Sequence, residues 1–170
     1  MQARGPMAPE LVNGEEIETK LYLGEFDSDQ VRGCISYHAQ KGNWLSIFLI
    51  SQRVSREVSI LIDADNRIWV DWGTIGEVHL HPPAGSRLPY KLWIHTHPRG
   101  MAYWSDTDKN SLAIASTILE KALVLGIDGV LSASIIDDEQ IPKLSGKGPI
   151  SQWSAEKVKS WFTVEVSSRG

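Results

Sequence analysis

The sequence predicts an α/β (α+β) domain in which one curved mixed β-sheet is flanked by helices. Three observations carry that expectation. Short stretches rich in β-branched and aromatic residues, such as "EVSILID" and "KLWIHTH", are interleaved with segments of helical spacing. A length of 170 residues suits one compact domain that buries roughly two-thirds of its unfolded surface. No internal repeat or low-complexity tract divides the chain.

Residues 1–13, "MQARGPMAPELVN", read as a flexible leader, and order is expected from Gly14 to Ser168. "IETKLYLGEF" alternates well enough to predict a half-buried strand ending at the turn-like "DSDQ". Trp44, Ile47, Phe48, Ile50 and Val54 suit either a helix face or a buried strand, and helix is the expectation. "EVSILIDADNRIWVDWG" reads as two strands joined by a tight turn at Ala64 to Asn66. Thr74 to Lys91 reads as a surface loop, after which "KLWIHTH" resumes as a strand. Leu112, Ala115, Leu119 and Ala122 or Leu123 recur at helical intervals, so a helix is expected from Asp106 until Gly126 stops it. "GVLSASII" is a further strand and "DDEQIPKLSGKGP" a loop. A short helix or turn from Ser154 and an alternating "WFTVEV" close the chain.

Composition narrows the function. A formal charge of −4 provides no broad field for a phosphate backbone, so no nucleic acid is expected as partner. Cys34, the one cysteine, rules out an internal disulfide and a thiolate zinc knuckle, and a reducing, cytoplasmic setting is expected. The longest apolar run, near Trp44 to Ile50, is interrupted by Ser46 and is far short of the roughly 20 residues of a membrane span.

The stretch "HTHPRGMAYWSDTD", His95 to Asp108, carries the chemistry. Side chains two apart on a strand share a face, so His95 and His97 present two imidazoles together. Pro98 lacks the backbone donor that would continue the ladder, so the chain turns there. Ser105 then sits where a helix cap belongs, and Asp108 lies in the first turn, able to face back toward the strand end. A His, His, Asp set leaves one corner of a tetrahedral ion open for water, the mark of a catalytic rather than a structural zinc site. Amide hydrolysis at such a site also needs a carboxylate to move a proton and a donor aimed at the oxyanion, and Ser105 can be that donor.

His-x-His-Pro, six residues, Ser, two residues, Asp resembles the signature of the JAB/JAMM (MPN-plus) zinc metalloproteases, matched here at His95, His97, Pro98, Ser105 and Asp108. Five defined positions at fixed spacing would arise by chance in such a chain about once in 10⁵, which sets the match apart from a coincidence of residue types. The resemblance covers about Ser55 to Ile136 and implies a single JAB/MPN-like domain. It implies one Zn²⁺ per chain on His95, His97 and Asp108, with Ser105 steadying the oxyanion. It also implies an upstream glutamate opening a strand. "EVSILID" from Glu57 resembles that strand, with Ile60 where the family has glycine. Glu77, in the following loop, competes; Glu57 is favoured because a strand holds a proton carrier more rigidly than a loop does.

The implied activity is an isopeptidase or peptidase that cuts the amide bond after the C-terminus of a ubiquitin-like protein, in the manner of prokaryotic JAB-type, deubiquitinase-like members. The substrate tail would lie as an added strand beside the loop Gly76 to Tyr90, and the loop Asp137 to Trp153 would also shape substrate choice. Two other readings compete: a non-catalytic JAB/MPN-type binding module for a ubiquitin-like partner, and a DNA-repair-associated JAB-domain protein.

Plainer explanations apply elsewhere. Ser105 and Asp108 also form a Ser-x-x-Asp capping pattern, and both roles can coexist. "HLHPP" at His79 imitates the first half of the motif, but Pro89 and Leu92 stand where serine and aspartate should. His79 and His81 are therefore loop histidines, and His38, in a turn-rich stretch, has no catalytic role. "DADN" at Asp63 opens like a calcium loop but has Ile68 and Thr74 at the glycine and bidentate positions, so it is a hairpin turn. "SGKGP" lacks the spacing of a phosphate loop. Trp104, beside Ser105, is expected to wall the substrate channel.

Overall fold

The computed structural model describes residues 5–73 and 82–162. Strands β1 (Val58–Ile62), β2 (Ile68–Trp72), β3 (Leu92–Thr96), β4 (Lys121–Gly126) and β5 (Gly129–Ser134) form one open sheet in the order β2-β1-β3-β4-β5. β3 and β4 pair in parallel and every other neighbour is antiparallel. Helices α1 (Gly14–Tyr22), α2 (Asp29–Lys41), α3 (Trp44–Val54) and α4 (Asp106–Ile114) complete the expected mixed α/β class.

Strand alternation sorts the core into two layers. Val58, Ile60, Ile94, Leu123, Leu125 and Val130 face a cluster built with Ile35 of α2 and Ile47 and Phe48 of α3. Leu61, Trp93, Ala122, Val124 and Leu131 face the opposite cluster, which contains Leu112 of α4, Trp104 and Trp153. On β3 this puts Leu92, Ile94 and Thr96 toward α3 and leaves Trp93 and His95 toward α4. Thr96 Oγ1 accepts from Val58 N at 3.0 Å and lies 2.5 Å from Ser51 Oγ of α3, so the residue between the two histidines pins the end of the strand.

The helix at Trp44–Val54, the β1–β2 hairpin and the strands at β3 and β5 follow the sequence expectations. Asp63 is fully buried at the hairpin turn. It accepts from Asp65 N, Arg67 N, Arg67 Nε, Arg87 N and Trp69 Nε1, so its carboxylate is satisfied by the hairpin itself.

Several expectations are corrected. "IETKLYLGEF" forms helix rather than strand over Gly14–Tyr22: the Asn13 side chain accepts from Glu15 N, Glu15 and Glu16 occupy the first turn, and Ile17 and Leu21 bury one side four residues apart. The stretch containing His38 is helix α2, opened by a Ser28 cap and closed by Gly42 at φ 70°. α4 stops at Ile114 with Ala115 as its cap, and Ala122 and Leu123, read as its continuation, lie in β4. "ALVLG" is buried on both faces as an interior strand, and such a run has no alternation to separate it from a buried helix.

Ser154 opens no helix. Its N–H and hydroxyl oxygen bond Ser134 O and Ser134 N, after a 3-10 turn at Pro149–Gln152. Nor is the described part of the leader free: Met7 N donates to Ile68 O, Glu10 N donates to Gly33 O, and Ser36 Oγ donates to Met7 O. A Cβ on Gly33 would stand 3.0 Å from Glu10 Cβ, so a larger residue there would press on this segment. Most of "WFTVEV" lies outside the described residues.

Candidate metal centre

The histidine strand ends where the chemistry begins. His97 N still donates to Leu125 O at 2.8 Å, after which Pro98 closes the ladder and the chain crosses the sheet tip to Ser105. Ser105 caps α4 with a reciprocal box: Asp108 N donates to Ser105 Oγ and Ser105 N donates to Asp108 Oδ2, each at 3.0 Å. The cap therefore does more than start a helix. It fixes the Asp108 carboxylate against the two imidazoles on β3.

His95 Nε2 lies 3.0 Å from Asp108 Oδ1, and His97 Nε2 lies 3.4 Å from Asp108 Oδ2. One ligand atom from each of the three lies within 4.8 Å of the others, and among the described residues this is the one group of His, Cys, Asp or Glu side chains so arranged. Ligands about 2.0–2.1 Å from a tetrahedral zinc stand about 3.3 Å apart, so the observed separations suit such an ion. The three side chains are 1%, 11% and 6% exposed, so His97 is the one that reaches the surface most.

The hydrogen bonding points the same way. His97 Nδ1 lies 3.0 Å from Met101 O, an acceptor only, so Nδ1 carries a proton and Nε2 is the nitrogen turned toward Asp108. Despite the 3.0 Å approach, the Asp108 oxygen lies off the ring's donor direction. Neither nitrogen of the buried His95 ring has a hydrogen-bond partner among the described residues. Burying an imidazole without partners costs about 1–3 kcal/mol for each unmet group, a cost that a metal bond would offset. The ring is held nonetheless, stacked on Trp93 at 4.5 Å with Trp104 at 6.2 Å. Trp104 is 8% exposed, so it backs the His95 ring from within rather than standing in an open channel.

Electrostatics bind the cluster together. Burial alone would raise the Asp108 carboxyl, but the His95 and His97 imidazoles beside it and the Ser105 N–H hold it well below the usual carboxylate range. Burial alone would lower His97; the Asp108 carboxylate, the Met101 carbonyl and the Glu57 charge outweigh it and hold the imidazole above its ordinary value. Carboxylate and imidazoles thus face one another as a concentrated site for positive charge.

Glu57 immediately precedes β1, with its carbonyl held by Gly73 N at 2.8 Å. Ser59 pairs with His95 across β1 and β3, and the same alternation puts Glu57 on that face at the level of His97. Burial pushes the Glu57 carboxyl up, with His95 and His97 pulling it down and Asp108 raising it, so the acid senses all three proposed ligands. Its rival Glu77, along with His79 and His81, lies outside the described residues. His38 lies apart, its Nδ1 3.2 Å from Asn43 Nδ2.

Two parts of the site carry no spacing signal in the sequence. Ser59 Oγ accepts from Trp93 Nε1 at 3.0 Å, beneath the His95 ring. Asp128, in the β4–β5 turn, accepts from Ala102 N at 2.7 Å and so anchors the loop between the strand and α4. On that loop Met101 and Tyr103 are largely exposed, and the Tyr103 ring lies 5.0 Å from that of His97, forming an apolar rim beside the opening.

These residues form a buried His-His-Asp cluster that could hold a metal ion, flanked by a desolvated acid and a capping serine. In comparisons with known proteins, no family model matches the chain and no curated protein or solved structure is found similar to it.

Proposed function

We propose that the protein is a zinc-dependent isopeptidase or peptidase acting on the amide bond after the C-terminus of a ubiquitin-like protein. The observation that carries the hydrolytic part is the convergence of His95, His97 and Asp108 from separate elements, with Glu57 on the same face of the sheet. The ubiquitin-like substrate rests on the resemblance of the His95 to Asp108 motif to the JAB/JAMM signature.

Bound at these three residues, a zinc ion would supply Lewis acidity and acidify a water at its open position. Glu57 takes the proton of the attacking water and returns it to the departing amine nitrogen. A carboxyl raised by burial is suited to both halves of that transfer, because an acid with its pKa nearer the working pH gives up and accepts protons with similar ease. Ser105 uses its oxygen to cap Asp108 N, which leaves its hydroxyl proton to donate to the oxyanion. The exposed Met101 and Tyr103 side chains offer an apolar shelf for the residues flanking the scissile bond.

The test joins metal analysis to cleavage of ubiquitin-like conjugates. Wild-type protein should carry about one zinc per chain and cleave, Glu57→Gln should keep the metal without cleaving, and His97→Ala should lose both. Full cleavage by Glu57→Gln overturns the assignment of the proton carrier, and a metal-free protein that cleaves overturns the mechanism.

A further inference from the structure

The peptide group joining Met101 to Ala102 is engaged at both ends. Its carbonyl lies 3.0 Å from His97 Nδ1, and its N–H donates to Asp128 Oδ1 at 2.7 Å. Carbonyl and N–H of one trans peptide share a plane and point oppositely, so carboxylate, amide and imidazole form one directed line. We propose that Asp128 is a positioning residue for the metal centre, acting through the Met101–Ala102 peptide on the His97 ligand. The inference rests on the reading of His95, His97 and Asp108 as metal ligands.

The surrounding turn is built for this contact. Gly126 pairs with Gly129, which leaves Ile127 and Asp128 as the two residues of a tight hairpin turn. Ile127 N donates to Gly100 O at 2.8 Å, so the turn grips the loop on both sides of Met101. A Cβ on Gly126 would stand 2.2 Å from Ala102 N and 2.5 Å from Met101 C. Only glycine lets the turn come this close, and the approach sets the peptide plane that His97 meets.

The chemistry follows from the charge at the far end. A hydrogen bond to a carboxylate is short and strong, and it draws the amide N–H proton outward. Electron density shifts to the carbonyl oxygen, which then accepts more strongly from His97 Nδ1–H and leaves Nε2 a better donor to a metal. The Met101 carbonyl touches the imidazole directly, as outer partners of ligating histidines do, and the carboxylate behind it reaches the ring through one peptide.

Zinc affinity of the full chain, measured by competition with a chromophoric chelator, should fall about tenfold in Asp128→Asn, which loses the charge, and at least as far in Asp128→Ala. In the metal-free proteins, ¹⁵N spectra should show the His97 ring nitrogens shifted in both variants. A merely structural role would lower the melting temperature while leaving those ring signals in place. Zinc affinity of Asp128→Asn within twofold of wild type, or unchanged His97 signals, overturns the proposal. Wild-type protein that binds no zinc would instead overturn the metal reading, and the metal-free spectra would still report on the Asp128 relay.

Discussion

Removing His97 should abolish the stabilisation that zinc confers on this fold, while removing the Glu57 charge should not. A ligand that binds only the native state at 100 times its dissociation constant stabilises by about 2.7 kcal/mol. For a chain of this length each kcal/mol moves the midpoint about 2–4 °C, so zinc should raise the wild-type melting temperature by roughly 5–10 °C. His97 is one of the three proposed ligands, held by Met101 O behind and facing Asp108 in front. A hundredfold loss of affinity in His97→Ala is a conservative expectation, since removing only an outer partner of a ligand costs about 10–100-fold. At the same zinc concentration the residual stabilisation is then about 0.4 kcal/mol, a shift of roughly 1 °C. Glu57→Gln preserves the side-chain volume and all three ligands and should retain most of the shift. The assay is a thermal melt of each protein with and without zinc, compared as a difference so that packing lost with the imidazole cancels. A zinc shift in His97→Ala equal to that of wild type would refute the ligand assignment.

The remaining predictions probe the parts separately. Zinc must displace a proton from His97, whose pKa the Asp108 carboxylate and its other neighbours hold above the ordinary 6.5; affinity should therefore keep rising with pH above 6.5, and a plateau reached below that pH in chelator competition would contradict this. Ser105→Ala should cost about 1 kcal/mol from the lost cap and 10²–10³-fold in turnover from the lost donor, with Ser105→Thr restoring both. A turnover loss under about fivefold, no more than 1 kcal/mol would give, would leave the serine only its capping role. Asp63→Ala should cost about 1–3 kcal/mol near neutral pH, because it leaves the buried Trp69 Nε1 and several half-buried N–H donors without their acceptor, while the half-exposed Arg67 keeps Gly85 O and Asp65. Hydrogen bonds to Arg67, Arg87, Trp69 and Asp65 overcome burial and depress the Asp63 pKa. Its contribution is thus present above the unfolded value of about 3.9 and disappears as pH falls through the lower folded value, so melts of wild type and variant should converge in strong acid.

The sequence was most informative where local rules are strict. Alternation on a strand places His95 and His97 on one face, proline at 98 ends the ladder, and Ser105 with Asp108 marks a helix start; the structure brings these residues together as that arithmetic requires. The same rules failed where one pattern serves two structures. "KALVLG" carries helical spacing forward from Leu112 yet becomes the interior strand β4, because burial on both faces erases the alternation that would have marked it. Ile17 and Leu21 fit a loose alternation and an i, i+4 helix face equally, and the Asn13 cap with its acidic first turn decides for helix. A linear pattern could name the candidate ligands, but only tertiary structure could supply their environment. It put Trp93 and Trp104 around an imidazole with no hydrogen bond, desolvated Glu57, and set the Gly126–Gly129 turn against the Met101–Ala102 peptide. Those relations depend on strand order and on contacts between residues tens of positions apart, to which sequence spacing is blind.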